Sequence, residues 1–245
     1  MKDYFSGHAK NYATFRPTYP DELYAFILKH VANKQSAWDC ATGNGQVARR
    51  LAEHFNHVEA SDISQKQIDQ APKLENISYH VCPAEQTPFP DKHFDLITVA
   101  QALHWFDLEK FYAEVKRVAT DGAIVAVWAY ALNMVNRDID DLMADFYSNR
   151  VGPYWDPARR LVENEYEGVP FPFETIPFPG FSIKVEWTLH DYIGYVRTWS
   201  ATQAYIRANN VDPAIDLFER MKTFWNPDDH KTVSFPVFGK MGFVG

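Results

Sequence analysis

The sequence has few of the features that mark secreted, membrane-spanning or nucleic-acid-binding proteins. It contains two cysteines, Cys40 and Cys82, which are not spaced as metal ligands and need not form a disulfide in a domain of this size. The formal net charge is −8 and the sequence has no long run of basic residues, only a few separate pairs, whereas binding of nucleic acid normally requires a basic surface. The longest apolar run, "AIVAVWAYAL", is too short to cross a bilayer, and the first residues contain no apolar signal segment. We therefore expect a cytoplasmic protein without a membrane, nucleic-acid or metal partner.

What the sequence does contain is a large apolar fraction in alternating strand and helix patterns. Of its 245 residues, 46% are apolar, which is enough for the core of one large domain. Short apolar runs that predict strands ("SAWDC", "HVEASD", "NISYHVC", "FDLITVAQAL" and "AIVAVWAY") alternate with segments of helical periodicity. This alternation predicts an α/β fold with a parallel sheet and helices on both faces. Ligands bind such a sheet at the carboxyl ends of its strands.

The pattern changes after Leu132. Residues 136–155 predict one helix that ends near Gly152, and the Pro-rich, aromatic residues 169–181 predict an extended connection. A strand and two helices follow. The last apolar segment predicts either a closing strand pair or a single edge strand, because Pro236 prefers an edge. We interpret this half of the chain as a lid together with the closing strands of the same sheet.

The turn after the first predicted strand carries the clearest ligand signal. Asp39 ends the strand, and small residues up to Gly45 allow a ligand to approach the backbone closely. The letters "GNGQVA" fit a dinucleotide-binding loop, with Asp62 at the distance expected for a ribose contact. An acid at the strand end would repel the pyrophosphate of a dinucleotide. The same acid would favour S-adenosylmethionine, which carries a sulfonium and an ammonium but no phosphate.

A third acid follows the third predicted strand. Glu85 comes directly after Ala84 in "VCPAEQTPFP", and its carboxylate could accept a hydrogen bond from an exocyclic amine of adenine. By itself Glu85 is as readily explained as an exposed loop residue. Together with Asp39 and Asp62 it places an acid at the end of three successive strands, which favours the S-adenosylmethionine interpretation.

These segments resemble the class I S-adenosylmethionine-dependent methyltransferases. "WDCATGNGQ" resembles the glycine motif of the family, with Ala41 in place of its first glycine. "EASDIS" resembles the ribose-binding strand, "PAEQTPF" the adenine loop and "FDLITVAQALHWFD" the fourth-strand motif. More narrowly, "FSGHAKNYATFRPTYP", "AQALHWFD" and "VRTWSATQAY" resemble the trans-aconitate methyltransferase-like group, whose members methylate small molecules, including carboxylic acids.

The resemblance implies a doubly wound, mostly parallel seven-stranded sheet of Rossmann-like type with a helical lid. It implies one domain, residues 1–245, in which residues 1–20 cover the cofactor, residues 21–131 bind it, and residues 132–245 form the lid and closing strands. The cofactor-binding residues that it implies are Asp39, Ala41, Gly43, Gly45, Asp62, Ile63, Ala84, Glu85, Ala100, Gln101, Tyr12 and Arg16.

His104 and Trp105 follow the fourth strand at the expected site of methyl transfer. His104 could orient the acceptor or take a proton from it, because the pKa of histidine lies near neutrality. A π face such as that of Trp105 favours a nearby sulfonium. Their structural alternatives are a histidine bonded to backbone and a core aromatic.

The resemblance also points to residues that contact the acceptor. Tyr19 precedes the first helix, and Arg197 and Trp199 lie in the "VRTWS" segment. Lid packing and solvated surfaces are the alternatives for these residues, and the pair Arg159–Arg160 is interpreted most simply as a solvated face.

We therefore predict an enzyme that transfers a methyl group from S-adenosylmethionine to a small molecule, with carboxylate O-methylation as one acceptor chemistry. Carbon or nitrogen methylation of a quinone-like or amine metabolite is the alternative within the class. A nicotinamide-dependent oxidoreductase and a non-catalytic cofactor-binding protein are alternatives from other classes.

Overall fold

A central sheet of eight strands organises residues 16–245, which are the residues that the computed structural model describes. Its order is β3-β2-β1-β4-β5-β8-β6, and β7 pairs with β8 beyond the end of β6. The sheet is therefore seven strands wide, as predicted. The strands are β1 (Ser36–Cys40), β2 (His57–Asp62), β3 (Ile77–Val81), β4 (Phe94–Ala100), β5 (Ala119–Tyr130), β6 (Glu174–Ile176), β7 (Phe181–Trp187) and β8 (Lys231–Phe243).

The first five strands are parallel, and the last three close the sheet in antiparallel pairs. The strand order changes direction between β1 and β4, where Asp39 is paired with Thr98. The carboxyl ends of these two strands are therefore neighbours, so that the loops after them meet at the place where ligands bind in this architecture.

Helices cover both faces of the sheet. Ala37 and Leu96 pack on one face, and Trp38 and Ile97 pack on the other, all of them fully buried. Burial on both faces explains why β1 and β4 are nearly continuous apolar runs. The helices are α1 (Asp21–Leu28), α2 (Gln46–Leu51), α3 (Gln65–Ile68), α4 (Leu108–Val118), α5 (Arg137–Asp145), α6 (Arg159–Glu163), α7 (Leu189–Arg197), α8 (Ser200–Asn209) and α9 (Ala214–Met221).

The alternation of strand and helix is interrupted once in the core. Residues 82–93 connect β3 to β4 by turns without a helix. This connection contains Pro83, Pro88 and Pro90, and a proline inside a helix removes a backbone donor and clashes with the preceding turn.

The segment predicted to be the lid, which we continue to call the lid, begins with a helix that changes its geometry before Gly152. Regular α-helix ends at Asp145, a π-helical turn spans Phe146–Arg150, and a short 3₁₀ turn spans Gly152–Tyr154. The single helix predicted for residues 136–155 is thus three consecutive helical segments. Such π turns occur often at functional sites.

The C-terminal segment is one long strand, and it is not at an edge. β8 lies between β5 on one side and β6 and β7 on the other, so the expectation of a strand pair or an edge strand was wrong. Pro236 is tolerated because its backbone faces Ala131, the first residue after β5, whose N–H donates to the Pro236 carbonyl. The missing N–H of Pro236 therefore interrupts the ladder only where β5 has already ended.

None of the helices formed by residues 16–245 combines the length and the apolar character that crossing a membrane would require.

Candidate active site

Asp39 lies at the base of the loop between β1 and α2. It is 1% exposed. Its Oδ2 accepts hydrogen bonds from the Thr42 hydroxyl (2.5 Å) and the Ala48 N–H (2.9 Å), and its Oδ1 accepts from the Thr98 hydroxyl (3.0 Å). Burial raises the pKa of Asp39 to about 6, although the hydrogen bonds from Thr42, Thr98 and Ala48 act in the opposite direction. The carboxylate therefore ties β1, its loop, α2 and β4 together.

Three residues of this loop have left-handed backbone conformations. The φ angles are 55° at Ala41, 56° at Gly43 and 80° at Gly45. A Cβ atom at Gly45 would lie 2.8 Å from the Tyr79 hydroxyl, whereas one at Gly43 would have no atom within 4 Å. The loop is closely packed on the side of Gly45 and open on the side of Gly43. The backbone at Gly43 is held by Asp62, whose Oδ2 accepts its N–H at 2.9 Å.

The open side of the loop faces a cavity of about 660 Å³, which we call the large cavity. This volume is typical of sites for small molecules and cofactors. The predicted site residues among its lining are Arg16, Tyr19, Asp39, Ala41, Gly43, Gly45, Ala100 and Gln101.

Four other predicted cofactor residues do not line the large cavity. A fifth, Tyr12, lies outside the described residues. Ala84 is buried, Ile63 directly follows β2, and Glu85 accepts a hydrogen bond from the Asp107 N–H at 3.0 Å. Asp62 supports the loop through Gly43 and also accepts the Ser64 N–H at 2.8 Å. Their roles at the ribose and the adenine remain predictions.

Gln101 connects the end of β4 to a second, smaller cavity. Its backbone is left-handed, with a φ of 58°, and its N–H donates to the carbonyl of Trp128 in β5 at 2.9 Å. Its side-chain amide lies 3.4 Å from the Tyr130 carbonyl. A non-glycine residue in this conformation is uncommon and is often found where function constrains the backbone.

The second cavity, which we call the inner cavity, has a volume of about 50 Å³ and shares Arg16, Gln101 and Tyr130 with the large cavity. Nη1 of Arg16 donates to the Tyr130 hydroxyl at 2.5 Å, and its guanidinium lies 5.5 Å from the centre of the Tyr195 ring. The remaining lining residues are His104, Trp105, Trp155, Asp156, Arg159, Tyr195, Trp199 and Ser200. Both predicted catalytic residues and Trp199 are thus brought to one place.

His104 is 8% exposed and lies in a 3₁₀ turn, with its ring 4.5 Å from that of Trp105. Burial and the positive charge of Arg159 lower the pKa of His104 to about 3, and Asp156 opposes this effect. Its Nδ1 is buried and has no hydrogen-bond partner among the described residues. A histidine with so low a pKa is neutral near pH 7 and is a weak proton acceptor.

Two arginines, Arg16 and Arg159, line the inner cavity, and only Arg16 is among the predicted site residues. Arg197, which was predicted to contact the acceptor, does not line this cavity, and its Nε donates to Asp212 at 2.7 Å. Arg159, which was interpreted as part of a solvated pair, lines the cavity instead. The sequence offers one signal for this role, namely that Trp155 precedes Arg159 by only four positions. In the structure the Arg159 guanidinium lies over the Trp155 ring, 5.3 Å from its centre.

Comparison with known proteins agrees with this geometry. A family described as "Methyltransferase domain" matches residues 38–127. A protein of Dictyostelium discoideum that is named as a methyltransferase is 36% identical and aligns over 96% of this chain and 93% of its own length. A protein of Saccharomyces cerevisiae named for S-adenosylmethionine-dependent methyl transfer is 23% identical, over 89% of this chain and 86% of its own.

Among solved structures, one named as a type II methyltransferase from Anaeromyxobacter dehalogenans is similar over almost the whole chain. It is 35% identical, with a TM-score of 0.86, and the match covers 94% of this chain and 98% of that one. The fold, the loop after β1 and these relatives agree. The chain belongs to the class I S-adenosylmethionine-dependent methyltransferases and uses S-adenosylmethionine as its cofactor.

Proposed function

We propose that this methyltransferase transfers the methyl group to a carboxylate oxygen of a small organic acid that binds in the inner cavity. The observation that carries this proposal is the lining shared by the two cavities. Arg16, Gln101 and Tyr130 border both of them, so a cofactor in the large cavity and an acceptor in the inner cavity would meet at these residues.

The lining of the large cavity suits S-adenosylmethionine. Its volume is adequate, the loop is open at Gly43, and the buried Asp39 provides negative charge for a cationic ligand. We assign the methionine part of the cofactor to Asp39, Gly43 and Gly45, and the sulfonium to the neighbourhood of Ala100 and Gln101. We assign the ribose to Asp62 and the adenine to Ile63, Ala84 and Glu85. Tyr12 and Arg16 are assigned to the segment that covers the cofactor.

When bound, the cofactor would supply a methyl group whose bond to the positively charged sulfur breaks, with the electron pair kept by sulfur, as the bond to the acceptor oxygen forms. The protein then needs to align the acceptor and exclude water. Such positioning can contribute roughly 7–11 kcal/mol toward lowering a barrier. Trp105, Trp155 and Trp199 provide an apolar wall for this purpose in the inner cavity.

The lowered pKa of His104 favours a carboxylate acceptor. A hydroxyl, a protonated amine or a carbon acid must lose a proton during methylation, and a base with a pKa of about 3 removes such protons poorly. A carboxylate is already ionised near pH 7. Within the described residues the cavity lining also contains two arginines, Arg16 and Arg159, against one carboxylate, Asp156, so the local charge suits an anion. In this proposal His104 orients the acceptor.

This acceptor class agrees with the resemblance of "AQALHWFD" and "VRTWSATQAY" to the trans-aconitate methyltransferase-like group, which is itself part of the proposal.

The test is a transfer assay with S-adenosylmethionine labelled in its methyl group. Panels of aliphatic and aromatic carboxylic acids, amines and quinols are compared as acceptors. We expect label in the organic acids, as a product that releases labelled methanol in mild alkali, because methyl esters hydrolyse whereas N-methyl and C-methyl products do not. Alkali-stable label in amines or quinols alone would contradict the proposal.

A further inference from the structure

A third depression in the surface adjoins the inner cavity from the lid side. This outer cleft has a volume of about 430 Å³ and is lined by Tyr147, Ser148, Gly152, Arg160, Glu163 and their neighbours. Three residues line both the outer cleft and the inner cavity, namely Trp155, Asp156 and Arg159. These three residues, the partition, are therefore the wall between an open cleft and the proposed site of methyl transfer.

The guanidinium of Arg159 is positioned by neutral groups. Its Nε donates to the Tyr147 hydroxyl at 3.1 Å, and its plane lies over the Trp155 ring, 5.3 Å from the ring centre. The Tyr147 hydroxyl in turn donates to Glu163 at 2.6 Å, and Trp155 donates through Nε1 to the Tyr147 carbonyl at 3.3 Å. Tyr147 and Trp155 thus hold the guanidinium in place.

No carboxylate among residues 16–245 forms an ion pair with Arg159, although two exposed lid arginines, Arg197 and Arg220, each have one. Arg197 is paired with Asp212, and Arg220 with Asp145. A half-buried guanidinium without an ion pair has lost part of its hydration, and a bound anion would offset that loss. Its remaining N–H groups form a planar donor set that matches a carboxylate.

The size of the inner cavity constrains how an acceptor reaches it. At about 50 Å³ it is far smaller than the roughly 300 Å³ at which sites for small molecules begin, so part of its lining must shift when an acceptor binds. On its other side the partition already borders a volume of about 430 Å³.

Resting on the proposed function, we infer that the acceptor reaches the inner cavity through the outer cleft and that Arg159, in the partition, binds its carboxylate. Arg159 then determines the specificity for acids, whereas His104 and Trp105 shape the site beside the methyl group.

The first test is direct binding to the protein loaded with S-adenosylhomocysteine. The probes are succinate and 3-phenylpropionate, with 3-phenylpropionamide as the uncharged analogue, and the signal is tryptophan fluorescence, because Trp105, Trp155 and Trp199 line the inner cavity. We expect at least one acid to bind, the amide to bind less well, and Arg159→Gln to weaken the acid by about 10- to 100-fold. Arg220→Gln, which removes a lid arginine outside the partition, is the matched control and should leave acid binding unchanged.

The second test concerns access. Ser148 is exposed and lines the outer cleft, so Ser148→Trp should obstruct the cleft. We expect the second-order rate of acceptor binding to fall at least fivefold, with the affinity for S-adenosylhomocysteine unchanged. The inference would be overturned if the acids bind wild type and Arg159→Gln equally, or if the acids do not bind the wild type. It would also be overturned if the rate constant of acceptor binding is unchanged in Ser148→Trp.

The failures of the two proposals are distinguishable. If the wild-type enzyme esterifies acids and KM and kcat are the same in Arg159→Gln, the role of Arg159 is refuted and the proposal of carboxylate methylation is not. Wild-type enzyme that binds acids through Arg159 but methylates only amines or quinols would refute the proposed acceptor.

Discussion

At the scale of single residues, His104 is both buried and part of the lining of the inner cavity. Burial lowers its pKa in the folded protein to about 3, whereas an unfolded chain titrates histidine near 6.5. The unfolded chain therefore binds more protons between these values, and the contribution of His104 to stability is complete above about pH 6.5 and is lost as the pH falls toward 3. Asp39 has the opposite sign, since its pKa is raised to about 6 and its contribution is lost as the pH rises from about 4 to 6.

A variant of His104 separates its pH-dependent contribution to stability from that of Asp39. We predict that the stability of the wild type relative to His104→Gln falls by about 2–3 kcal/mol between about pH 7 and about pH 4.5. Urea unfolding of both proteins at the two pH values measures this difference. An equal stability change in the two proteins would show that His104 is protonated inside the fold.

Ala41 carries backbone strain that glycine would remove. With a φ of 55°, its Cβ lies close to the following carbonyl. We predict that Ala41→Gly stabilises the protein by about 1 kcal/mol. The control is Ala113→Gly at an exposed position of α4, which should destabilise by about 1 kcal/mol because a helical alanine gains nothing from the exchange. Thermal unfolding of the Ala41→Gly and Ala113→Gly variants, each compared with the wild type, measures the two effects. Destabilisation of similar size in both variants would contradict the prediction.

At the scale of elements, the two glycines of the loop between β1 and α2 differ in their surroundings, because an added Cβ is crowded at Gly45 and meets open space at Gly43. Gly45→Ala should cost about 2 kcal/mol or more, because its Cβ would meet Tyr79 and Pro72 at 2.8 and 3.0 Å in addition to the strained φ. Gly43→Ala should cost only about 1 kcal/mol, because its Cβ meets open space.

Cofactor affinity should rank these two variants differently from stability. The Cβ added at Gly43 lies on the open side of the loop, at the large cavity, so we expect titration calorimetry to give at least tenfold weaker binding of S-adenosylhomocysteine by the folded Gly43→Ala variant. Full affinity in Gly43→Ala would show that the cofactor does not approach this part of the loop.

Asp39 holds the same loop from below. In the wild type three groups donate hydrogen bonds to the Asp39 carboxylate. Asp39→Asn keeps the shape of the side chain but replaces one acceptor oxygen with a donor, so at least one of these hydrogen bonds is lost. We predict a loss of about 1–3 kcal/mol in the free energy of unfolding, together with weaker binding of S-adenosylhomocysteine. Titration with NADH is the parallel measurement, and binding of NADH instead would contradict the assignment of the loop.

At the scale of the whole molecule, two halves of the chain meet at the inner cavity. The core contributes Gln101, His104 and Tyr130, and the lid contributes Arg159 and Trp199. Because this cavity is too small for most acids, an acceptor must change the packing between the halves. We predict that an acid acceptor, added to the protein saturated with S-adenosylhomocysteine, alters amide hydrogen exchange in residues 146–163 and leaves β1 and β4 unchanged. Identical exchange with and without acceptor would show that the lid does not move.

The core was largely predictable because its signals are local. A strand buried on both faces reads as a continuous apolar run, and an acid and small residues at its end mark the loop, as at Asp39 and Gly43. The lid was less predictable. Whether Arg197 or Arg159 faces the cavity depends on the packing of helices far apart in the sequence, and the π-helical turn before Gly152 has no pattern distinguishable from an α-helix.

The sequence by itself determined the parallel core, the tight loop after β1 and the place of His104 and Trp105 directly after β4, because each rests on neighbouring residues and the period of one element. Only the tertiary structure decided that β8 is internal despite Pro236, that His104 is a weak base and that Arg159 borders the inner cavity. Those properties arise from burial and from distances between residues that the chain brings together only on folding. The pKa of His104 is lowered mainly by burial and further by the positive charge of Arg159, which is 55 positions away in the printed sequence.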